Sequence, residues 1–323
     1  MVVTANRYNN RPRPINLNKD IPQVVRLLES VFGESLDSEG RHLFSQVRNS
    51  SQPAMMWRFN PNMARLSPGF VWEENGRIVG NVTLLPTQTP RRFLVANVAV
   101  HSDFRRQGLA TLLMQAVHSA VAERRGDVIL LQVVKENAKA VNLYRNLRYQ
   151  TIGSMTEWYA SSSRIRDLSL DNMALPPIRP LHRREWQAAY QLDLACLHPD
   201  LNWPEPLKPD AYKVGLWQQF SRFLNGRQQE TWRITNNDNQ VIGLGSIFSE
   251  WGRTHRLTVR VAPAWRGQIE RPLLAKLLRR LRYLPRRNVR IDHSDLDQNM
   301  NQLLEEARFR ARRTLTHMRL DLK

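Results

Sequence analysis

The stretch "VAVHSDFRRQGLATLLMQAV", Val98 to Val117, passes from an apolar strand-like run through a polar, basic turn holding one glycine into apolar residues at helical spacing. A helix opened by such a turn begins with four backbone N–H groups that have no partner within the helix. Together with the positive end of the helix dipole, those donors suit phosphate oxygens. Gly108 would let a pyrophosphate approach the backbone closely, Ala110 keeps the next position small, and Arg105 and Arg106 can add charge-assisted contacts. The same seven residues, "FRRQGLA", also suit an ordinary β-to-α turn with solvated arginines. Neither the GxGxxG nor the GxxxxGK[ST] spacing is present, which argues against a Rossmann or P-loop site.

Outward from this stretch, the chain repeats itself. "VAVHSDFRRQG" is echoed by "VRVAPAWRGQI" (Val259 to Ile269), and "NGRIVGNVTLLP" (Asn75 to Pro86) by "DNQVIGLGSIFS" (Asp238 to Ser249). "LYRNLRY" (Leu143 to Tyr149) is echoed by "LLEEARF" (Leu303 to Phe309), and all three offsets are about 160 residues in the same order. Two copies of one domain follow. Each opens on an amphipathic helical pattern, Asp20 to Phe32 and Arg184 to Leu197. The first copy continues with a hairpin turning at Asn75-Gly76, a dipeptide that accepts the positive φ angles of a tight turn. Then come the strand "RFLVANVAV", a helix from about Leu109 to Arg124, the strand "DVILLQVV", a helix from about Ala138 to Leu147 and a closing strand near "SMTEWYA". A serine run and a Pro-Pro pair mark a linker, so the borders are expected at 1–160, 161–177 and 178–323.

Composition narrows the class. The 323 residues allow two hydrophobic cores, and a single cysteine, Cys196, excludes a disulfide framework or a cysteine-based metal site. No stretch has the length and apolarity of a signal core or a membrane span, so a soluble, cytoplasmic protein without a membrane partner is expected. A formal charge of +19 points to an anionic partner: a phosphate-bearing cofactor, a nucleic acid, a ribosomal surface or an acidic substrate.

With "NAKAVNLYRNLRYQTIG" (Asn137 to Gly153) following the turn, the chain resembles the GNAT superfamily of acyl-CoA-dependent N-acyltransferases. Arg105, Gly108 and Ala110 meet the family's [QR]-x-x-G-x-[GA] signature, and the downstream Asn, Ala and Leu-Tyr signature follows in order. The likeness covers roughly Ile15 to Ala160 well and the second copy in outline. It implies an α/β (α+β) fold of two tandem domains, each a mixed, mostly antiparallel sheet flanked by helices. It also implies acetyl-CoA as cosubstrate, with no metal. Val98, Ala99 and Val100 would pair with the pantetheine arm and offer an N–H to the thioester carbonyl. Arg105, Arg106, Gln107, Gly108, Leu109 and Ala110 would hold the pyrophosphate, and Asn137 would touch the cofactor arm. Tyr144 would lie near the sulfur and protonate the leaving thiolate, a task suited to a phenol with a pKa of about 10; aromatic packing is its alternative role.

Some positions depart from the family pattern. Where many members acting on protein N-termini carry a glutamate base, this chain has Gln132, so a base comes from elsewhere or the amine arrives neutral; Glu136 is near in sequence but equally suited to solvent. The usual Gly-Phe is Arg148-Tyr149, and neither His101 nor His118 has partner spacing for a triad or a metal. In the second copy Arg266 matches Arg105, but Ile269 replaces Gly108, Arg271 replaces Ala110 and Leu304 replaces Tyr144. That half reads as a degenerate domain with a basic stretch, "RPLLAKLLRRLRYLPRRNVR", that is either a solvated face or a binding surface. The expected activity is transfer of an acetyl group from acetyl-CoA to a primary amine by the first domain. The alternative is a non-catalytic acyl-CoA-sensing or RNA- or ribosome-associated protein using its basic second half. No zinc-finger spacing or RNP-like motif is present.

Overall fold

Asn75 and Gly76 sit at φ of 49° and 77°, which folds β2 (Gly69–Glu74) back on β3 (Arg77–Pro86) with Glu74 opposite Arg77, as the dipeptide demands. The structure, a computed structural model, describes residues 11–33, 69–170, 177–203, 206–207, 209, 212 and 227–322. These divide into two compact units: one made of residues up to Gln132, Lys139–Gln150 and Met318 onward, the other of Val133–Ala138 and Thr151–His317. The linear borders at 160 and 178 divide the sequence repeat, whereas compactness places Thr151–Ala160 in the second unit and the chain's last residues in the first.

In the first unit the strand order is β1 (Arg13–Pro14), β2, β3, β4 (Arg92–Val100), β5 (Val128–Val134) and the end of β12 (Arg310–Asp321). Helix α1 (Ile21–Phe32) buries Ile21, Val24, Val25, Leu27 and Leu28, the apolar stripe read from the sequence; each such side chain contributes about 1.5–3 kcal/mol. Helix α2 (Leu109–Glu123) buries Leu113, Met114, Val117 and Val121 completely. Gly80 in β3 makes room for it, because a Cβ there would stand 3.0 Å from Leu113 Cδ1. α3 (Ala138–Asn146) follows β5.

The second unit contains β6 (Gln150–Ala160) except its first residue, β7 (Ile178–Pro180), α4 (Trp186–Cys196), β8 (Arg227–Thr235), β9 (Val241–Glu250) and β10 (His255–Val261). It is completed by α5 (Glu270–Leu281), β11 (Val289–Ser294), α6 (Gln298–Glu306) and most of β12. Its strands run in the order β12, β6, β11, β10, β9, β8, β7. β6 pairs antiparallel with β11, from Met155 opposite Ser294 to Ala160 opposite Val289. The core gathers Ile247, Leu257, Val259, Leu273, Leu274, Leu277 and Ile291. Gly243 plays the part of Gly80, since a Cβ there would stand 2.9 Å from Leu273 Cδ1.

Candidate functional site

β4 and β5 run parallel but pair only from Arg92 opposite Val128 to Val95 opposite Leu131. Beyond Val95 the two strands part. On its other side β4 stays paired with β3, but with a bulge: Thr83 faces Ala96, and Asn81 faces Ala99. Asn97 stands at the bulge with φ of 52°. The buried Asn81 holds it there, donating from Nδ2 to the Asn97 carbonyl at 2.9 Å, while Asn97 Nδ2 reaches Thr83 Oγ1 at 3.3 Å. Val98, Ala99 and Val100 therefore leave the bulge with an edge that β5 does not pair. Sequence reasoning missed Asn81 and Asn97; the polar Asn97 inside the apolar "RFLVANVAV" was the available signal.

The strand leads into a one-turn 3-10 helix, Ser102–Phe104, capped by His101, whose ring accepts the Asp103 N–H at 3.4 Å. His101 also meets Arg77 Nη2 at 2.9 Å, which makes it a structural residue of the turn. Arg105 Nε donates back to the Val100 carbonyl at 3.1 Å, so part of this guanidinium fixes the turn to the strand. Arg106 is exposed at φ of 63°, and Gln107 Nε2 donates to the Asp103 carbonyl at 3.3 Å. Gly108 is the N-cap of α2, in the left-handed region at φ of 82°, and an added Cβ would meet nothing within 4 Å. The glycine thus answers to backbone conformation and to open space at the helix N-terminus, not to protein packing. Leu109 is buried and Ala110 half-buried behind it. Helical geometry leaves the first N–H groups of α2 unpaired within the helix. This open N-terminus forms a cradle that suits an anion, and the edge of Val98–Val100 suits pairing with an extended chain.

Tyr144, on α3, is 6% exposed, and its hydroxyl has no hydrogen-bond partner among the described residues. Burial pushes its pKa up to about 12, above the value of a free phenol. Its ring meets that of Tyr149 edge-on with centroids 5.9 Å apart. Tyr149 Oη in turn meets His118 Nε2 at 3.1 Å, and burial lowers the His118 pKa. His118, which has no triad or metal spacing in the sequence, is a half-buried structural partner of Tyr149. Arg148 takes φ of 67°, the conformation for which the family's glycine is suited. Gln132 is half-buried on β5, and Glu136 and Asn137 are exposed; Asn137 lies directly before α3 and groups with the second compact unit. Among the described residues, no three His, Cys, Asp or Glu side chains come together to hold a metal. No described helix is long and apolar enough to cross a membrane.

The second unit repeats the backbone course without the cradle. A one-turn 3-10 helix, Pro263–Trp265, leads to Gly267 at φ of 82°, the match of Arg106 at 63°. The N-cap is Ile269 at φ of −121°, where the first copy has Gly108 at 82°. Glu270, 2% exposed, accepts the Gly267 N–H on Oε1 at 2.9 Å. Arg271 is held bidentate by Glu306 at 2.6 and 2.8 Å, and Leu304 is fully buried where Tyr144 stood.

A model of the acetyltransferase (GNAT) family matches residues 36–149. An N-alpha-acetyltransferase of Sulfurisphaera tokodaii is 31% identical over 103 residues, 28% of this chain and 61% of that protein. N-alpha-acetyltransferase 30 of Dictyostelium discoideum is 27% identical over 88 residues, 26% of this chain and 47% of that protein. The chain thus spans about three fifths or less of the length of these curated relatives. Among solved structures, a GCN5-related N-acetyltransferase from Sphaerobacter thermophilus shares the fold with a TM-score of 0.55 at 14% identity, over 97% of this chain and 95% of that one. A tandem GNAT protein from the clavulanic acid biosynthesis pathway does so with a TM-score of 0.50 at 15% identity, over 97% and 98%. Over residues 36–149, then, the chain is similar to the acetyltransferase (GNAT) family.

Proposed function

We propose that the first domain, within residues 1–160, transfers an acetyl group from acetyl-CoA to a primary amine by direct attack. The observation that carries this reading is the continuity of an unpaired β4 edge with a left-handed Gly108 at the N-terminus of α2. Bound acetyl-CoA supplies the activated thioester. The N–H groups of Gly108 to Thr111 and the side chains of Arg105 and Arg106 would take the pyrophosphate. The edge of Val98–Val100 would orient the arm and aim an N–H at the oxygen where negative charge develops, an arrangement worth about 3 kcal/mol. In the transfer the amine nitrogen bonds to the carbonyl carbon and the carbon–sulfur bond breaks. The amine gives up one proton and the sulfur gains one.

Tyr144 keeps its proton at neutral pH and offers it in a hydrogen bond to the departing sulfur. A pKa of about 12 suits stabilising that charge better than surrendering the proton outright, because a thiol of ordinary acidity near 8.5 is the stronger acid. Gln132 orients without accepting a proton, so an acceptor arriving as the free amine matches this site. Asn137 receives the cofactor-arm contact from the family pattern. The second domain, 178–323, is a degenerate copy, and Glu270 in its turn supports that reading. The relatives' names support testing α-amines before lysine, polyamines and aminoglycosides. A screen of such amines for acetyl-CoA-dependent release of free CoA tests the proposal. No release above hydrolysis with any amine, in a protein that binds acetyl-CoA, would leave a sensing role in its place.

A further inference from the structure

The second unit carries a surface that acetyl transfer does not use. β9 and β10 are joined through Trp251 and Gly252, and Trp251 is 84% exposed. Beyond α5, Tyr283 is 80% exposed. The two loops are tied together. Arg287 Nη1 donates to the Glu250 carbonyl at 2.5 Å, the His255 N–H to the Asn288 carbonyl at 2.9 Å, and His255 Nε2 meets the Pro285 carbonyl at 2.9 Å. The two loops are therefore neighbours, and each carries one exposed aromatic side chain and exposed arginines. Arg253 is exposed beside Glu250 at 3.5 Å. Arg279, four residues before Tyr283, and Arg286 are exposed with no acidic partner among the described residues.

We propose that this surface binds single-stranded nucleic acid, the guanidinium groups following the phosphodiester backbone while Trp251 and Tyr283 stack on bases. The chemistry selects this partner from two sides. Unpaired arginines on a chain of charge +19 favour a polyanion. Exposed aromatic rings on loops that also carry exposed arginines favour π-faces over an apolar protein surface. A duplex offers phosphates but keeps its base faces stacked inside. The inference is independent of the acetyl-transfer reading.

Fluorescence anisotropy of the full-length protein with a labelled oligouridine of about 20 nucleotides, its DNA counterpart and a duplex tests it. Single strands are expected to bind at least tenfold more tightly than the duplex, and the RNA and DNA arms show which is preferred. Trp251→Ala and Tyr283→Ala should each weaken binding about tenfold without changing its salt dependence, in keeping with loss of one stacked base. Arg279→Gln and Arg286→Gln should each lower the slope of log K against log salt by about 0.7. All four side chains are exposed, so these variants keep the fold, checked by an unchanged circular dichroism spectrum and melting temperature. Absence of binding at low salt, equal binding of duplex and single strand, or wild-type affinity in both aromatic variants would overturn the proposal.

Discussion

Gly267 donates its backbone N–H to the Glu270 carboxylate across 2.9 Å, in the turn whose counterpart in the first copy is headed by Gly108. The chain's own Glu270 side chain thus takes up an N–H of this turn and stands, buried, at the first position of the helix, where a phosphate would have to approach. Calorimetry is therefore expected to count one acetyl-CoA per chain. Ile269→Gly alone should change neither stoichiometry nor affinity, because Glu270 still fills the turn. A second binding event in the unaltered protein would contradict this.

Two glycine variants separate binding from folding. Gly108 stands at φ of 82° with empty space where a Cβ would go, so Gly108→Val costs the left-handed backbone penalty of about 1–2 kcal/mol and little packing. It should abolish acetyl-CoA binding while the protein remains folded by circular dichroism. Gly126 has the opposite profile: a Cβ there would stand 2.3 Å from Val121 Cγ1 and 2.9 Å from Phe93 Cε2. Gly126→Ala should lower stability by about 1–3 kcal/mol through overpacking and leave acetyl-CoA affinity unchanged below the melting transition. Unchanged affinity in Gly108→Val would remove the phosphate role from the turn.

The repeat, the hairpin at Asn75-Gly76 and the turn before α2 were all legible in sequence, because each is written in local chemistry: a dipeptide that tolerates positive φ, or a glycine between strand and helix patterns. The parting of β4 from β5 was not. It depends on a bulge at Asn97 held by Asn81, and the hydrogen bond between them spans sixteen positions that no periodicity links. Membership of β6 was hidden for a related reason. Backbone ladders are nearly indifferent to sequence, so "SMTEWYA" announces a strand without saying that its partner is β11. Glu270 could have been suspected, since it is an acidic residue in the first turn of a helix.

Tyr144→Phe tests whether the buried phenol touches the reaction. The variant keeps the ring that meets Tyr149 edge-on and loses only a hydroxyl without a described partner, so stability should hardly change. Turnover should fall by about tenfold to a hundredfold with the KM for acetyl-CoA little altered, the mark of an interaction formed in the transition state. Because burial lifts the pKa to about 12, the hydroxyl stays protonated as pH rises, and its ionisation should not produce an alkaline decline below about pH 11. Equal turnover in the phenylalanine variant would return Tyr144 to packing, and a limb near pH 10 that vanishes with the hydroxyl would place the phenol in a wetter site.

His317, in β12, supplies a prediction about stability and pH. Its ring is 2% exposed and meets Trp203 edge-on at 5.4 Å between centroids. Burial lowers its pKa from 6.5 to about 4. Above pH 6.5 both the folded and the unfolded chain hold this ring neutral, and its contribution is constant. As pH falls from 6.5 toward 4 the unfolded chain takes up the proton first, so unfolding is favoured by about 1.4 kcal/mol per unit, about 3 kcal/mol in all. Denaturant unfolding of the full-length protein at a series of pH values should show this loss. His317→Phe, which preserves an aromatic edge toward Trp203, should remove most of that slope between pH 4 and 6.5 while a smaller one from His118 persists, since burial lowers that pKa as well. Parallel stability curves for the two proteins across this range would mean that His317 is protonated equally in both states, and therefore is not buried as a neutral ring.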